Sequence, residues 1–132
     1  MYVELYSQPE QIKAVSTLYL QQTLSNLKGK VNNTYTPRIV IYSSHDTTVG
    51  MVLAALNMTN IECIADHYLN GVNNGDTCVS TYPIYTSNVI FELWEKNSHH
   101  YIKVLYNGVP RKIPICNYNY ECSLKDFEKW VN

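Results

Sequence analysis

Charged residues are scarce in this 132-residue chain, with Asp, Glu, Lys and Arg together making up 16%. Ten Lys and Arg stand against eleven Asp and Glu, a formal net charge of −1, which excludes a basic nucleic-acid surface and an acidic tail. The longest apolar run, Val49 to Leu56, is too short to cross a bilayer, so no membrane span is expected. The cysteines form no C-x-x-C pair, and His67 is the only histidine near them, which favours disulfides over zinc and leaves no metal site. Met1-Tyr2-Val3-Glu4 has neither the basic start nor the apolar stretch of a secretory leader. No internal repeat, low-complexity tract or linker divides the sequence, whose length suits one domain with a real core.

Tyrosine is plentiful, at 12 residues against two Phe and two Trp. A ring with a polar tip suits half-buried strands and a wet, hydrogen-bonding surface. Two sequons, Asn32-Asn33-Thr34 and Asn57-Met58-Thr59, mark Asn32 and Asn57 as candidate glycosylation sites. The four cysteines, Cys63, Cys78, Cys116 and Cys122, allow three pairings and point to an oxidising compartment. Secretory features without a secretory leader make residues 1–132 an expected piece of a longer chain.

Residues 7–28 read as a helix, with Ser7 as cap, Pro9 early, Glu10 completing a Ser-x-x-Glu box and Gly29 as the stop. Ile12, Val15, Tyr19, Leu20, Leu24 and Leu27 form its apolar face. Ile39-Val40-Ile41-Tyr42 is apolar without alternation, which predicts a strand covered on both faces at the centre of an α/β sheet. A polar turn, Ser43 to Thr48, leads to a second helix carrying Val49, Val52, Leu53 and Leu56. From Asn57 to Tyr82 the pattern breaks, with turn signals at Asn70-Gly71 and Asn74-Gly75. This segment reads as an irregular excursion with a short helix near residues 61–69. Cys63 and Cys78 bracket it as its own disulfide, worth roughly 3 kcal/mol in the chain-entropy view. Asn88 to Glu95 and Tyr101 to Tyr106 predict an antiparallel hairpin whose turn holds His99 and His100. Lys112 to Ile115 reads as a further short strand, and Ser123 to Val131 as a capped helix with Leu124, Phe127 and Trp130 inward.

Ser43 to Thr48 is where geometry and residue type converge. Ligands collect at the carboxyl ends of strands in open α/β sheets, where the next helix presents free N–H groups and a positive end. His45 adds a hydrogen-bond donor, and Asp46 a carboxyl group that can give or take a proton. Phosphate chemistry fits this turn. So does a structural role, with Asp46 or Thr47 as helix cap and His45 as a satisfied strand-end histidine. His67, His99 and His100 read as surface or turn residues without ligand partners, and Glu92 as a strand residue.

Ile39-Val40-Ile41-Tyr42-Ser43-Ser44-His45-Asp46-Thr47-Thr48-Val49 resembles the C-terminal signature of the histidine acid phosphatases of the prostatic and lysosomal type, in branch 2 of the histidine phosphatase superfamily. Tyr85-Thr86-Ser87-Asn88 with Phe91-Glu92-Leu93-Trp94, and Ile115-Cys116 with Cys122-Ser123-Leu124-Lys125-Asp126-Phe127, extend the resemblance from about residue 18 to 131. The resemblance implies the C-terminal part of a mixed sheet flanked by helices, in the order helix, central strand, helix, stapled loop, hairpin, closing helix. It also implies that Cys116 pairs with Cys122. The activity it implies is hydrolysis of phosphate monoesters through a phosphohistidine, without a cofactor, in a secreted, lysosomal or vacuolar lumen. His45 would contact the phosphoryl group and Asp46 would protonate the leaving alcohol. The family's nucleophile sits in R-H-G-x-R-x-P, yet the only arginines here are Arg38 and Arg111, neither in such a motif. The isolated chain is therefore expected to be inactive, its missing N-terminal part being its first partner. The alternatives are a non-catalytic truncated member acting as an extracellular binding domain, and a phytase-like phosphatase.

Overall fold

The computed structural model describes residues 8–73 and 75–132. Among these residues, four helices and an antiparallel sheet follow one another as α1 (Pro9–Val31), α2 (Asp46–Ala55), α3 (Ile61–Asn70), β1 (Val89–Lys96), β2 (His99–Tyr106), β3 (Val109–Arg111), a 3-10 turn (Pro114–Cys116), β4 (Cys122–Ser123) and α4 (Leu124–Val131). The α/β class and the order of helices and hairpin follow the sequence reading. Cys63 is joined to Cys78, and Cys116 to Cys122.

Strand β2 is the spine of the sheet. It pairs with β1 along its whole length, and on its other edge with β3 near Tyr106 and β4 near Ile102. Both connections out of β2 are two-residue turns whose central residues have positive φ, Asn97 and Ser98 on one side, Asn107 and Gly108 on the other. That backbone matches the twist of an antiparallel pair. The first turn is tighter than the sequence pattern suggests, so His99 and His100 belong to β2 rather than to the turn. The second starts β3 at Val109. Lys112 to Ile115, read from the sequence as a strand, instead holds an isolated bridge at Ile113 and the 3-10 turn.

The core lies between the helices and one face of β2. Leu20 and Leu24 of α1, Leu53 and Leu56 of α2, Ile102 and Val104 of β2 and Phe127 of α4 are all buried. Alternation along β2 places Ile102, Val104 and Tyr106 inward and Tyr101, Lys103 and Leu105 on the other face. Helix α4 starts at Ser123, whose Oγ accepts from the Asp126 N–H at 3.0 Å. Phe127 is its buried anchor, with Leu124 and Trp130 packed beside it. A Lys28–Glu128 ion pair ties α4 to α1.

Three features of the helical half differ from the sequence reading. Helix α1 does not stop at Gly29 but runs to Val31, with Asn32 as its C-terminal cap. Gly29 is required by proximity: the chain folds back so that Thr34 and Tyr35 N–H donate to the Gly29 carbonyl, and a Cβ on Gly29 would stand 2.9 Å from that of Tyr35. The N-cap position of α1 is Gln8, without a side-chain cap; Ser7, the expected cap, lies outside the described residues, as does Asn74. The buried face of α1 includes two hydroxyl residues, Ser16 and Thr23, whereas Val15 is exposed. Ser16 Oγ donates to the Met51 carbonyl at 3.1 Å, so a buried hydrogen bond joins α1 to α2.

The largest departure is the expected central strand. Residues 38–45 form neither helix nor ladder among the described residues, and Ile39 and Ile41 are 79% and 85% exposed. The sheet that forms is antiparallel and lies elsewhere. A strand exists only with a neighbour to share its ladder, and no described segment offers one here. Tyr42 is anchored by edge-on packing against Tyr19 and by a 3.1 Å hydrogen bond from Asn26 to its hydroxyl.

Candidate functional site

The polar turn of residues 43–48 ends on the first turn of α2. His45 occupies the N-cap position with an extended backbone and no side-chain cap, and its carbonyl accepts from the Thr48 and Val49 N–H groups at 3.1 Å each. Asp46 is the first helical residue, so neither it nor Thr47 is the cap. Its Oδ1 accepts from the Thr47 N–H at 2.6 Å, which sets the carboxylate against the positive end of the helix. Ser43, Ser44, His45, Asp46 and Thr47 are all exposed.

A residue that sequence reasoning missed completes the arrangement. The Tyr82 side chain lies near the Asp46 carboxylate. That contact, followed by the Thr47 N–H and the nearby His45, holds the Asp46 carboxyl below the ordinary carboxylate range, against a smaller opposing effect of desolvation. Nothing local marks Tyr82 in the sequence, because it arrives from the far end of the stapled excursion.

The arrangement can therefore present a histidine and an ionised carboxylate side by side at a helix start. Two surface grooves, of about 450 and 470 Å³, lie by the Cys116–Cys122 loop and between α1, the hairpin turn and α4. Neither is lined by residues 43–48. Among the described residues no three His, Cys, Asp or Glu side chains gather as a metal site, and no helix is long and apolar enough to cross a membrane.

The other singled-out residues stay apart from this turn. His67 lies on α3 with Nδ1 3.3 Å from the Val72 carbonyl. His99 Nδ1 lies 2.8 Å from the Asn97 carbonyl. Glu92, on β1, accepts from Trp94 Nε1 at 2.8 Å. Asn32 and Asn57 are both exposed, the former capping α1 and the latter just past α2 with φ of 54°.

The model of the histidine phosphatase superfamily (branch 2) matches residues 1–107, and the chain belongs to that family. Similar curated proteins include 2-phosphoxylose phosphatase 1 of Homo sapiens, 29% identical over 93 residues, covering 68% of this chain and 15% of that protein. Lysosomal acid phosphatase of Bos taurus is 25% identical over 128 residues, covering 93% of this chain and 26% of its own length. Prostatic acid phosphatase of Rattus norvegicus is 23% identical over 134 residues, covering 97% and 30%. The chain thus spans between 15% and 30% of the length of these relatives.

Proposed function

We propose that this chain is the C-terminal portion of an acid phosphatase that hydrolyses phosphate monoesters, and that it supplies His45 and Asp46 to the site. The observation that carries the reading is the His45-Asp46 pair exposed at the N-terminal end of α2 in a member of this family. A histidine in R-H-G-x-R-x-P, contributed by the rest of the polypeptide, attacks phosphorus. As the N–P bond forms and the ester P–O bond breaks, His45 contacts the phosphoryl oxygens and Asp46 gives its proton to the leaving alcohol. Water then attacks the phosphohistidine and phosphate leaves. Bound phosphate dianion raises the Asp46 carboxyl against the pull of Tyr82, and an acidic medium keeps it protonated. Two disulfides, two sequons with exposed asparagines and relatives named lysosomal and prostatic support a secreted or lysosomal-type lumen.

The test is hydrolysis of an aryl phosphate by the 132-residue chain and by the native polypeptide. The chain alone is expected to be inactive, and the native protein to lose on the order of 10² to 10⁴ in rate with Asp46→Asn. Hydrolysis by the chain alone that Asp46→Asn abolishes would sink the divided site. Full activity of the native Asp46→Asn protein would sink the proton-donor role. The second reading, a non-catalytic binding domain, draws on the lack of R-H-G-x-R-x-P in these residues. It predicts a native mass of 15.2 kDa after sugar removal.

A further inference from the structure

The groove of about 470 Å³ between α1, the hairpin turn and α4 mixes carbon surface with hydrogen-bonding groups. Val31, Tyr101 and Leu124 line it and are half-buried, and His100 and Lys125 line it with them. Asn32, the first residue of a sequon, lines the same groove. It ends α1 through its backbone, whose N–H donates to the Lys28 carbonyl at 2.9 Å. Among the described residues no hydrogen bond takes up its side-chain amide, and the residue is exposed. The amide can therefore be modified without disturbing the cap. Thr34, which completes the sequon, is exposed as well. The other sequon differs on each count. Asn57 lines neither groove, its Oδ1 accepts from Asn60 Nδ2 at 3.3 Å, and Thr59 is 4% exposed.

We propose that Asn32 carries an N-linked oligosaccharide whose first sugars lie in this groove and brace α1, the hairpin turn and α4 against one another. This rests on the reading of a secretory-type lumen and goes beyond it, because it names the site and the seat of the sugar. A pyranose ring has a face of C–H groups and an edge of hydroxyls. Val31, Leu124 and the Tyr101 ring suit the face, and His100 and Lys125 suit the edge. Transfer forms a bond from Asn32 Nδ2 to the anomeric carbon as that carbon's bond to a lipid diphosphate breaks. Nδ2 loses one proton, the lipid diphosphate leaves, and the amide keeps its second N–H. Since Asn32 is itself part of the groove wall, the tether delivers the first sugar there with little of the entropy cost that a free ligand meets.

The test is release of sugar from the native polypeptide by a peptide N-glycanase, before and after denaturation, with the Asn32 peptide followed by mass. Release at Asn32 is expected to be at least about tenfold slower from the folded protein, the mark of a packed state favoured by about 1.4 kcal/mol. His100→Ala with Lys125→Ala should speed release from the folded protein several-fold and leave the rate after denaturation unchanged. Equal rates before and after denaturation overturn the seat in the groove. So does slow release that the two substitutions leave as slow, because the fold as a whole then hinders the enzyme. Circular dichroism shows whether the double variant is folded; if it is not, Lys125→Ala alone, at an exposed position, decides. A bare Asn32 in native protein whose Cys63, Cys78, Cys116 and Cys122 are all disulfide-bonded overturns the proposal and leaves the lumen reading standing. A bare Asn32 beside free thiols at those positions overturns both. No readout uses turnover, so failure of the phosphatase reading shows separately, as full activity of the native Asp46→Asn protein.

Discussion

Phe127→Ala tests whether the helices and the hairpin share one core. Phe127 is the only buried residue of α4 and is 1% exposed. Its ring lies 5.9 Å from that of Phe91 on β1 and 6.0 Å from that of Trp130. Truncation removes a whole ring from between the sheet and the closing helix, and the rigid hairpin cannot collapse into the space. Replacements of this kind cost about 3 to 5 kcal/mol. A chain of 132 residues has an unfolding entropy near 0.28 kcal/mol/K, so the midpoint should fall by about 11 to 18 °C. Thermal unfolding followed by circular dichroism, with a urea series at 25 °C, measures both quantities. Trp130→Ala is the control: its ring is only partly buried, and the loss should be clearly smaller. A Phe127→Ala loss below about 1 kcal/mol would mean that α4 sits on the sheet without completing its core, and the reasoning would fail.

Gly29→Ala should destabilise although alanine is the better helix former by about 1 kcal/mol, because the new Cβ meets that of Tyr35; an unchanged or raised midpoint would show that residues 34–36 move aside at no cost. Stability should also weaken in acid. Asp46 is held low chiefly by Tyr82, and Asp126 by Ser123, so each favours the folded state above the unfolded carboxylate pKa near 3.8. That contribution is lost as pH falls below about 4 through the lowered folded values. Asp126→Asn should flatten the decline in midpoint between pH 4 and lower values, and an identical decline in the variant would refute the link.

What could be read from the chain, and what could not, follows from distance. Helix α4 was legible because its cap, Ser123, and its apolar positions, Phe127 and Trp130, lie within one short stretch. The His45-Asp46 turn was legible for the same reason. Tyr82 was not, since only the folding of the excursion brings it to Asp46. The apolar run at Ile39 to Tyr42 reports that both faces want cover, but it carries no information on which segment supplies the cover. On α1 the buried positions Ser16 and Thr23 broke the apolar stripe, because a hydroxyl that donates to a neighbouring helix can replace a methyl group at the interface. Asn107-Gly108 held the signal for the start of β3, as a pair suited to positive φ; the short strand expected at Lys112 begins three positions after Val109.

The two disulfides divide the chain into independent closures. Cys63 and Cys78 are 15 residues apart, Cys116 and Cys122 six, and the two rings neither overlap nor enclose one another. Each can close within its own stretch as the polypeptide emerges, the first before any strand of the sheet has been made. Order of synthesis alone then disfavours the two mixed pairings that four cysteines allow. It also means that no disulfide joins the helical half to the hairpin half. Between Cys78 and Cys116 the chain carries no cross-link, and the two halves meet through packing and hydrogen bonds, among them the Lys112 N–H to the Asp76 carbonyl at 3.2 Å.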